Sequence, residues 1–180
     1  VAETVTVFGE VVASRESDVA ARVAGVVGSV EVAVGDAVEE GAVLIRIDTE
    51  LLMIEREQAL AERAIAAAGA DVAEARLTQA RRVFERAAAL RDSAAFSEGQ
   101  LEDREAAFAE ATAAVAEAEA RRQAAEVQVR RVEYNLRNAE IRAPFDGTVL
   151  AIATETGQFI STGAEVATLL DTTTLEIEAS

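Results

Sequence analysis

The spacing of apolar residues changes twice along the chain, and these changes divide it into three parts. Before about residue 50, apolar residues alternate with polar ones in short runs, as at Val5, Val7 and Val11, and glycines separate the runs. Alternation with a period of two predicts β-strands. The same pattern returns after Pro144 and continues to the end of the chain. Both outer parts are therefore predicted to be β-structure.

The middle part, from about Leu51 to Asn138, is predicted to be helical. It has no proline and only two glycines, and it is rich in Ala, Glu, Arg and Gln, which is typical of long helices. A break at residues 91–97 divides it into two arms, each on the order of 60 Å long at 1.5 Å per residue. Apolar residues recur at heptad spacing on both arms, which predicts an antiparallel coiled coil with Arg122 as an exception. The predicted seam contains Leu52, Ala59, Ala66, Ala70, Ala73, Leu77, Ala80, Phe84 and Ala87, and on the second arm Leu101, Phe108, Ala111, Val115, Ala118, Ala125, Val129, Val132 and Leu136.

Capping residues mark where the two arms begin. Asp48 is predicted to be the N-cap of the first arm. Ser97 and Gln100 fit a capping box at the start of the second arm. Phe96 and Leu101 occupy the positions of a hydrophobic staple around the same start. The second helix is therefore expected to begin at Ser97.

The two β parts repeat each other. Three glycines of the first part recur 122 residues later in the second, from 25 to 147, from 35 to 157 and from 41 to 163. The apolar register follows, because Val38 matches Ile160 and Leu44 matches Val166. Glycine is needed where φ is positive, so the repeat predicts matched hairpins in the two halves. The predicted structural turn glycines are Gly25, Gly35, Gly41, Gly147, Gly157 and Gly163.

Composition and charge exclude several functions. The net charge is −16 and the pI is near 4.4, which works against nucleic-acid and anionic-membrane partners because both require a basic face. All seventeen basic residues are Arg, and Lys, His and Cys are absent, so most nucleophiles, general bases and soft metal ligands are missing. Acidic residues lie beside Arg, as at Glu74 and Arg81 or Glu117 and Arg121, and are predicted to be solvated ion pairs. We expect no enzyme activity, no metal and no cofactor.

Two motifs resemble the halves of one known module. Residues 32–41 read Val-x-Val-Gly-Asp-x-Val-x-x-Gly and resemble the first half of a biotinyl/lipoyl domain. Residues 141–149 read Ile-Arg-Ala-Pro-Phe-Asp-Gly-Thr-Val and resemble the second half. With a helical hairpin between the halves, the chain resembles the periplasmic adaptors, or membrane fusion proteins, of tripartite efflux pumps, which belong to the HlyD-like superfamily.

The resemblance implies an α+β fold in which a long antiparallel α-helical coiled-coil hairpin interrupts a split lipoyl-like β module. It implies β-barrel strand fragments at residues 1–13 and 172–180, lipoyl-like halves at 14–50 and 140–171, and the hairpin at 51–139 with its tip at 91–97. The chain starts in mid-pattern, and no membrane span or signal peptide occurs in it. We therefore expect an export signal or anchor upstream and a membrane-proximal region outside this chain.

The resemblance also implies the partners. Adaptors that dock on TolC-like outer-membrane channels carry an Arg-x3-Leu-x6-Ser pattern around the hairpin tip, and Arg86, Leu90 and Ser97 match it. The missing membrane-proximal regions would bind an inner-membrane RND (resistance–nodulation–division) or ABC transporter. The adaptor would form a homo-oligomer, hexameric in the family. It would lie in the periplasm of a Gram-negative bacterium, attached to the inner membrane, and serve export of drugs or other small molecules.

Other interpretations of the sequence stay open. An adaptor of an ABC exporter or a type I secretion system would share most of these features. A lipoyl or biotinyl carrier would need a Lys at the joining hairpin, and the chain has none. A free-standing coiled-coil scaffold leaves the duplicated β halves unexplained. Locally, Arg86 can also be a solvated helix residue, Leu90 a seam residue and Ser97 an N-cap.

Overall fold

The computed structural model describes residues 9–92 and 96–179 of the 180-residue chain, and side chains within 16–92 and 96–171. The predicted strand positions Val5 and Val7 lie outside these residues. Contacts divide the chain into two compact units. One contains the described residues up to Met53 and from Tyr134 onward, and the other is Ile54–Glu133. We call them the β unit and the helical unit.

The elements follow the predicted order of β, α and β. They are β1 (Gly9–Ala20), β2 (Gly25–Val30), β3 (Ala37–Val38), β4 (Val43–Ile47), α1 (Glu50–Ala89), α2 (Glu98–Asn138), β5 (Glu140–Arg142), β6 (Gly147–Ile152), β7 (Phe159–Ile160) and β8 (Glu165–Ala179). The strands form two four-stranded sheets, ordered β1-β8-β6-β3 and β5-β4-β2-β7. The α+β class and the helical insertion between two β parts are therefore confirmed. The domain boundaries and the assignment of the two chain ends to a β-barrel stay predictions.

The sequence repeat is a repeat of structure. Strands β2, β3 and β4 begin 122 residues before β6, β7 and β8. The halves do not form two separate hairpins, because each short strand pairs with the other half. Strand β3 pairs antiparallel with β6, and β7 pairs antiparallel with β2. The two halves are therefore interlocked in one unit.

Backbone hydrogen bonds between the halves come in equivalent pairs. The Gly35 amide donates to the Val149 carbonyl at 2.8 Å, and the Gly157 amide donates to the Val27 carbonyl at 2.8 Å. Two further amides, each 122 residues from the other, behave in the same way: Gly41 donates to Ala143 at 2.8 Å and Gly163 donates to Ala21 at 2.7 Å. In each pair of bonds, the donors are 122 residues apart and so are the acceptors, and the two bonds run in opposite directions between the halves. The halves are therefore related by a local pseudo-twofold axis.

The core of the β unit has the same symmetry. Fourteen of the sixteen buried residues described in this core form seven pairs separated by 122 positions, one member from each half, and Val23 and Ala139 are the exceptions. Burial of these apolar side chains, at about 25 cal/mol per Å² of apolar surface, is the main term that holds the halves together. The predicted register of Val38 with Ile160 and of Leu44 with Val166 is confirmed. The buried pairs are Val19 and Ile141, Ala21 and Ala143, Val27 and Val149, Val38 and Ile160, Leu44 and Val166, Ile45 and Ala167, and Ile47 and Leu169.

The six repeated glycines have two different roles. Gly35, Gly41, Gly157 and Gly163 have φ between 84° and 94° and sit in turns, as expected. Gly25 and Gly147 are the first residues of β2 and β6 and have no positive φ. Their prediction as turn glycines is wrong. At both of these positions a Cβ would overlap a neighbour, so close packing requires glycine there.

An ion-pair cluster joins strands of the two halves on one sheet. The Arg46 guanidinium pairs with Glu31 at 3.2 Å and also with Glu140, which in turn pairs with Arg142. The Ser29 hydroxyl donates to Glu31 at 2.7 Å. This hydrogen bond, with the nearby Arg46 charge, lowers the pKa of the Glu31 carboxyl. The cluster is solvent-exposed, so it adds little stability and mainly orients the side chains.

The helices pack along the predicted seam. All eighteen predicted seam positions, and Arg122, are buried or half-buried, which confirms the coiled coil. Arg122 is accommodated because it pairs with Glu119 at 2.9 Å and Glu126 at 3.2 Å. The hydrogen bond and charge of Glu119, with Glu126, raise the pKa of this guanidinium.

Two local predictions about the helices need correction. The N-cap of α1 is Thr49, whose carbonyl accepts the Met53 amide at 2.8 Å. Asp48 lies one residue earlier and its carboxylate accepts the Glu50 amide at 2.9 Å. The pair of Glu117 and Arg121 is confirmed at 2.5 Å. Glu74 and Arg81 do not pair among the described residues, since they are seven positions apart and Arg81 instead lies over the Phe108 ring.

Removal of the helices should leave the β unit folded. The residues at the two ends of the insertion are already neighbours, because Arg46 and Glu140 are strand partners and the Ile47 amide donates to the Ala139 carbonyl at 2.8 Å. Replacing residues 50–138 by a four-residue Gly/Ser loop should therefore give a soluble β protein, since loop-closure entropy changes only slowly with loop length. We expect β-type circular dichroism and dispersed amide resonances.

The same shortened protein carrying Val149→Asp is the matched control. Val149 is 1% exposed, so a charge there should unfold the β unit. A shortened protein that is as disordered as this control would show that the two halves do not fold without the helices.

Candidate docking surface at the helix connection

The three residues of the sequence motif lie in or beside the connection between α1 and α2. Helix α1 ends at Ala89, residues 90–92 form a turn and α2 begins at Glu98. The amides of Leu90 and Arg91 donate to the carbonyls of Ala87 and Ala88 at 3.2 Å, which closes the last turn. Residues 93–95 lie outside the described part.

Arg86 lies in the last turn of α1, and Leu90 is the first residue after the helix, in a hydrogen-bonded turn that continues it. They are four residues apart, and this spacing puts them on neighbouring positions of one helix face. The Arg86 side chain is exposed and, among the described residues, has no ion-pair partner. Leu90 is 49% exposed, which is unusual for a leucine that a coiled-coil seam would bury. The pair therefore presents a cation beside an apolar side chain.

Ser97 lies at the other side of the connection. It immediately precedes α2, and its carbonyl accepts the Leu101 amide at 3.1 Å, so it is the N-cap of α2. Phe96 and Leu101 stand at the positions expected for a hydrophobic staple, and Leu101 is buried. The predicted start of the second helix is confirmed to within one residue. Ser97 thus has a structural role whether or not it also contacts a partner.

An aromatic stack next to this connection was missed by sequence reasoning. The Phe84 and Phe108 rings lie 5.8 Å apart between centroids, with a 5° angle between their planes. The Arg81 guanidinium lies 5.7 Å from the Phe108 centroid, within cation–π range. The signal in the sequence was the placement of the two large rings in an otherwise Ala-rich seam. The stack supports the part of α1 that carries Arg86, which is two residues after Phe84.

The place where carrier domains hold their cofactor is occupied by the helical insertion. That place is the connection between the two halves, and here α1 and α2 stand between β4 and β5. The chain has no Lys that could be acylated. Among the described residues, no cluster of His, Cys, Asp or Glu has the geometry of a metal site, and no helix is long and apolar enough to span a membrane.

Comparison with protein families assigns the fold to a family. Residues 15–172 match the family model described as RND MFP, barrel-sandwich hybrid domain, where MFP stands for membrane fusion protein. The chain belongs to this family of membrane fusion proteins. The match covers both interlocked halves and the helical insertion. Its members are adaptor proteins rather than enzymes. The family resemblance and the fold class expected from the sequence are therefore both confirmed.

Solved structures share the fold of this membrane fusion protein. MacA from Actinobacillus actinomycetemcomitans aligns with a TM-score of 0.84 and 24% identity, covering 96% of this chain and 54% of MacA. The periplasmic adaptor protein EmrA aligns with a TM-score of 0.57 and 15% identity, covering 94% of this chain and 76% of EmrA. A putative efflux transporter from Bacteroides eggerthii aligns with a TM-score of 0.55 and 22% identity, covering 99% of this chain and 49% of that protein.

These alignments establish the fold of the membrane fusion protein and leave its partners to be inferred. The chain spans about half the length of MacA and of the B. eggerthii protein. No curated protein matches the sequence. The exposed side chains of Arg86 and Leu90 are suited to contact a partner protein.

Proposed function

We propose that this membrane fusion protein is a periplasmic adaptor that links an inner-membrane efflux transporter to a TolC-like outer-membrane channel during export of drugs or other small molecules. The observation that supports this proposal is the exposure of Arg86, in the last turn of the 40-residue helix α1, and of Leu90, directly after that helix. An exposed apolar side chain beside an unpaired cation is suited to a small docking contact. In this proposal the β unit is structural and α1 and α2 reach the channel.

The channel side of the contact can be described by its chemistry. Arg86 can donate to carbonyl or carboxylate oxygens at the end of a channel helix, and Leu90 can enter an apolar gap beside them. Ser97 would add a hydroxyl at the point where the chain reverses. The inner-membrane transporter, of RND type by the family description, would be bound by regions outside this chain. Several copies, six by resemblance, would surround one conduit in the periplasm, each attached to the inner membrane through a segment outside this chain.

A second candidate function is that of an adaptor for an ABC exporter or a type I secretion system. The observation that favours it is the alignment with MacA, an ABC-type adaptor, which has the highest TM-score of the three structures described above. That alignment extends over both units and leaves the transporter-binding regions untested. The two candidates share the docking surface and differ in the inner-membrane partner.

Site-specific cross-linking in cells tests the proposal. The chain has no Cys, so Ala89→Cys in the full-length protein, with any Cys outside this chain replaced by Ser, gives a single attachment point for a short photoreactive label. Ala89 is exposed next to Leu90 and is not one of the proposed contact residues. We expect the label to capture an outer-membrane channel protein. Thr78→Cys, on an exposed position of the same helix, is the matched control and should capture none.

Two outcomes of this experiment decide the function. If the folded Ala89→Cys protein captures no channel protein, or captures it no better than Thr78→Cys, the proposed function is wrong. The inner-membrane protein that copurifies with the full-length adaptor then separates the two candidates. An RND transporter supports the first, and an ABC or type I secretion transporter supports the second.

A further inference from the structure

The stack of Phe84 and Phe108 joins the two helices close to the connection that carries the docking residues. The rings are nearly parallel, with 5° between their planes and 5.8 Å between their centroids. Stacks at such distances are favourable beyond the apolar surface that they bury. The Arg81 guanidinium lies 5.7 Å from the Phe108 centroid and adds a cation–π contact. Three side chains from the two helices therefore meet at one level.

The seam around the stack consists of small side chains. Phe84 lies between Ala80 and Ala87 on α1, Phe108 is followed by Ala111 on α2, and all five are half-buried. Contacts between alanines are alike, so a slip of one helix along the other replaces one such contact by another at little cost. Two rings can stack in only one register. The stack is therefore the contact that distinguishes one register from its neighbours in this part of the seam.

The direction of the helices follows from the residues that share grooves. Val83 and Ala107 line one groove near the connection. Gly69 and Ala118 line another groove farther from it. Sequence numbers thus fall along α1 where they rise along α2, so the two helices run antiparallel.

The register set by the stack decides which residues are level beside the connection. With the rings level, a residue five positions after Phe84 is level with a residue five positions before Phe108. These two residues are Ala89, the last residue of α1, and Asp103. Helix α2 begins five residues before Asp103 in the chain, so it extends about 7.5 Å past the end of α1 at 1.5 Å per residue.

Docking depends on this register because the motif residues come from both helices. Arg86 and Leu90 follow α1, and Ser97 is the N-cap of α2. A slip by one helical turn would move Ser97 by about 5 Å relative to the other two residues. Hydrogen bonds and fitted apolar contacts tolerate displacements of well under 1 Å, at roughly 0.5 Å for a preorganised site. A partner that fits all three side chains in one register would lose at least one of them in another.

We propose that Phe84 and Phe108 are positioning residues for docking on the outer-membrane channel and act through the three motif residues. Their stack, covered by Arg81, sets the register of α1 against α2 at the connection and so keeps the motif residues at a constant separation. Neither ring has to touch the channel, since both are half-buried in the seam. This inference rests on the proposed function.

Channel capture measures the effect on docking. In the full-length protein, Phe108→Ala should reduce capture from Ala89→Cys by roughly three- to ten-fold, because loss of one aromatic pair lowers the fraction of molecules in the docking register. Leu77→Ala is the matched control, since Leu77 is half-buried in the same seam one heptad farther from the connection. It should lower the melting temperature similarly and leave capture within about two-fold, because the stack is intact. Phe108→Tyr keeps the ring and should capture normally.

Spin labels on Ala89→Cys and Asp103→Cys measure the register without the channel. Both positions are exposed, and any Cys outside this chain is replaced by Ser in the full-length protein. The distribution of distances between the labels should have one narrow peak in the parent protein and in Leu77→Ala. In Phe108→Ala it should broaden by about 5 Å, the rise of one helical turn. Phe108→Tyr should restore the narrow peak.

Three results would overturn the inference. Equal loss of capture in Phe108→Ala and Leu77→Ala would show that the rings only fill the seam. A distance distribution unchanged by Phe108→Ala would show that the stack does not set the register. Loss of capture in Phe108→Tyr as large as in Phe108→Ala would indicate that this side chain contacts the channel itself. Failure of the parent Ala89→Cys protein to capture any channel is a different result, because it overturns the proposed function and the docking role of the stack together.

Discussion

Arg86→Asp should reduce capture of the outer-membrane channel by about thirty-fold while leaving the protein folded. The side chain is exposed, so its loss removes little packing, and a negative charge in the last turn of α1 costs only about 0.5–1 kcal/mol through the helix dipole. At a docking contact the same change removes charge-assisted hydrogen bonds and leaves acceptor oxygens of the channel unpaired. Such a change typically costs about 2 kcal/mol or more.

The measurement combines drug susceptibility, abundance and thermal melting of the full-length variant with channel capture from Ala89→Cys. Arg76→Asp is the matched control, because Arg76 is an exposed arginine on the same helix, ten residues before the motif. It should export and dock normally. If Arg86→Asp is abundant and folded yet captures the channel and exports as well as Arg76→Asp, this face of the helix end is not the docking site.

Local periodicity explains how much of the fold could be predicted. The seam depends on heptad spacing within one helix, and the repeat depends on spacing of glycines within one half, so both are visible in short stretches of sequence. The pairing of β3 with β6 and of β7 with β2 joins strands of different halves, and short stretches of sequence do not predict it. A glycine repeat is equally compatible with two separate hairpins, and only packing of Val27 and Val149 into one core selects the interlocked pairing.

The candidate site was predictable only in part, for a similar reason. The spacing of Arg86, Leu90 and Ser97 is a property of sequence, and the helix end that places them follows from the break in the heptads. Exposure of Leu90 depends on how the last turn closes, which is a tertiary outcome. The N-cap of α1 was misplaced by one residue because both Asp48 and Thr49 are good capping residues, and the choice depends on where β4 ends.

Gly147→Ala should destabilise the β unit by about 3 kcal/mol, as expected when a tightly packed site is overfilled. A Cβ at this position would stand 2.3 Å from the Leu170 carbonyl oxygen and 3.1 Å from its carbonyl carbon. Both are backbone atoms of β8, the strand paired with β6. Relief therefore requires β6 and β8 to separate, which disturbs the pairing at the centre of one sheet. No rotation of a side chain removes the overlap.

The pseudo-equivalent substitution, Gly25→Ala, supplies a comparison within the same fold. Its Cβ would meet the Ile47 Cγ2 atom at 2.4 Å, a side-chain atom in the core rather than a strand backbone. Relief of this overlap requires the Ile47 side chain to shift within the core and does not require two paired strands to separate, so Gly25→Ala should cost less than Gly147→Ala. Gly69→Ala, in an open position within α1, should instead stabilise the helical unit by about 0.5–1 kcal/mol.

Urea unfolding followed by amide resonances of the β unit measures these differences separately from the helices. The midpoint should fall most for Gly147→Ala, less for Gly25→Ala and not at all for Gly69→Ala. Equal midpoints for the two strand glycines would mean that backbone and side-chain overlaps are relieved with similar ease. A midpoint unchanged by Gly147→Ala would show that β6 and β8 do not approach as closely as the interlocked sheet requires.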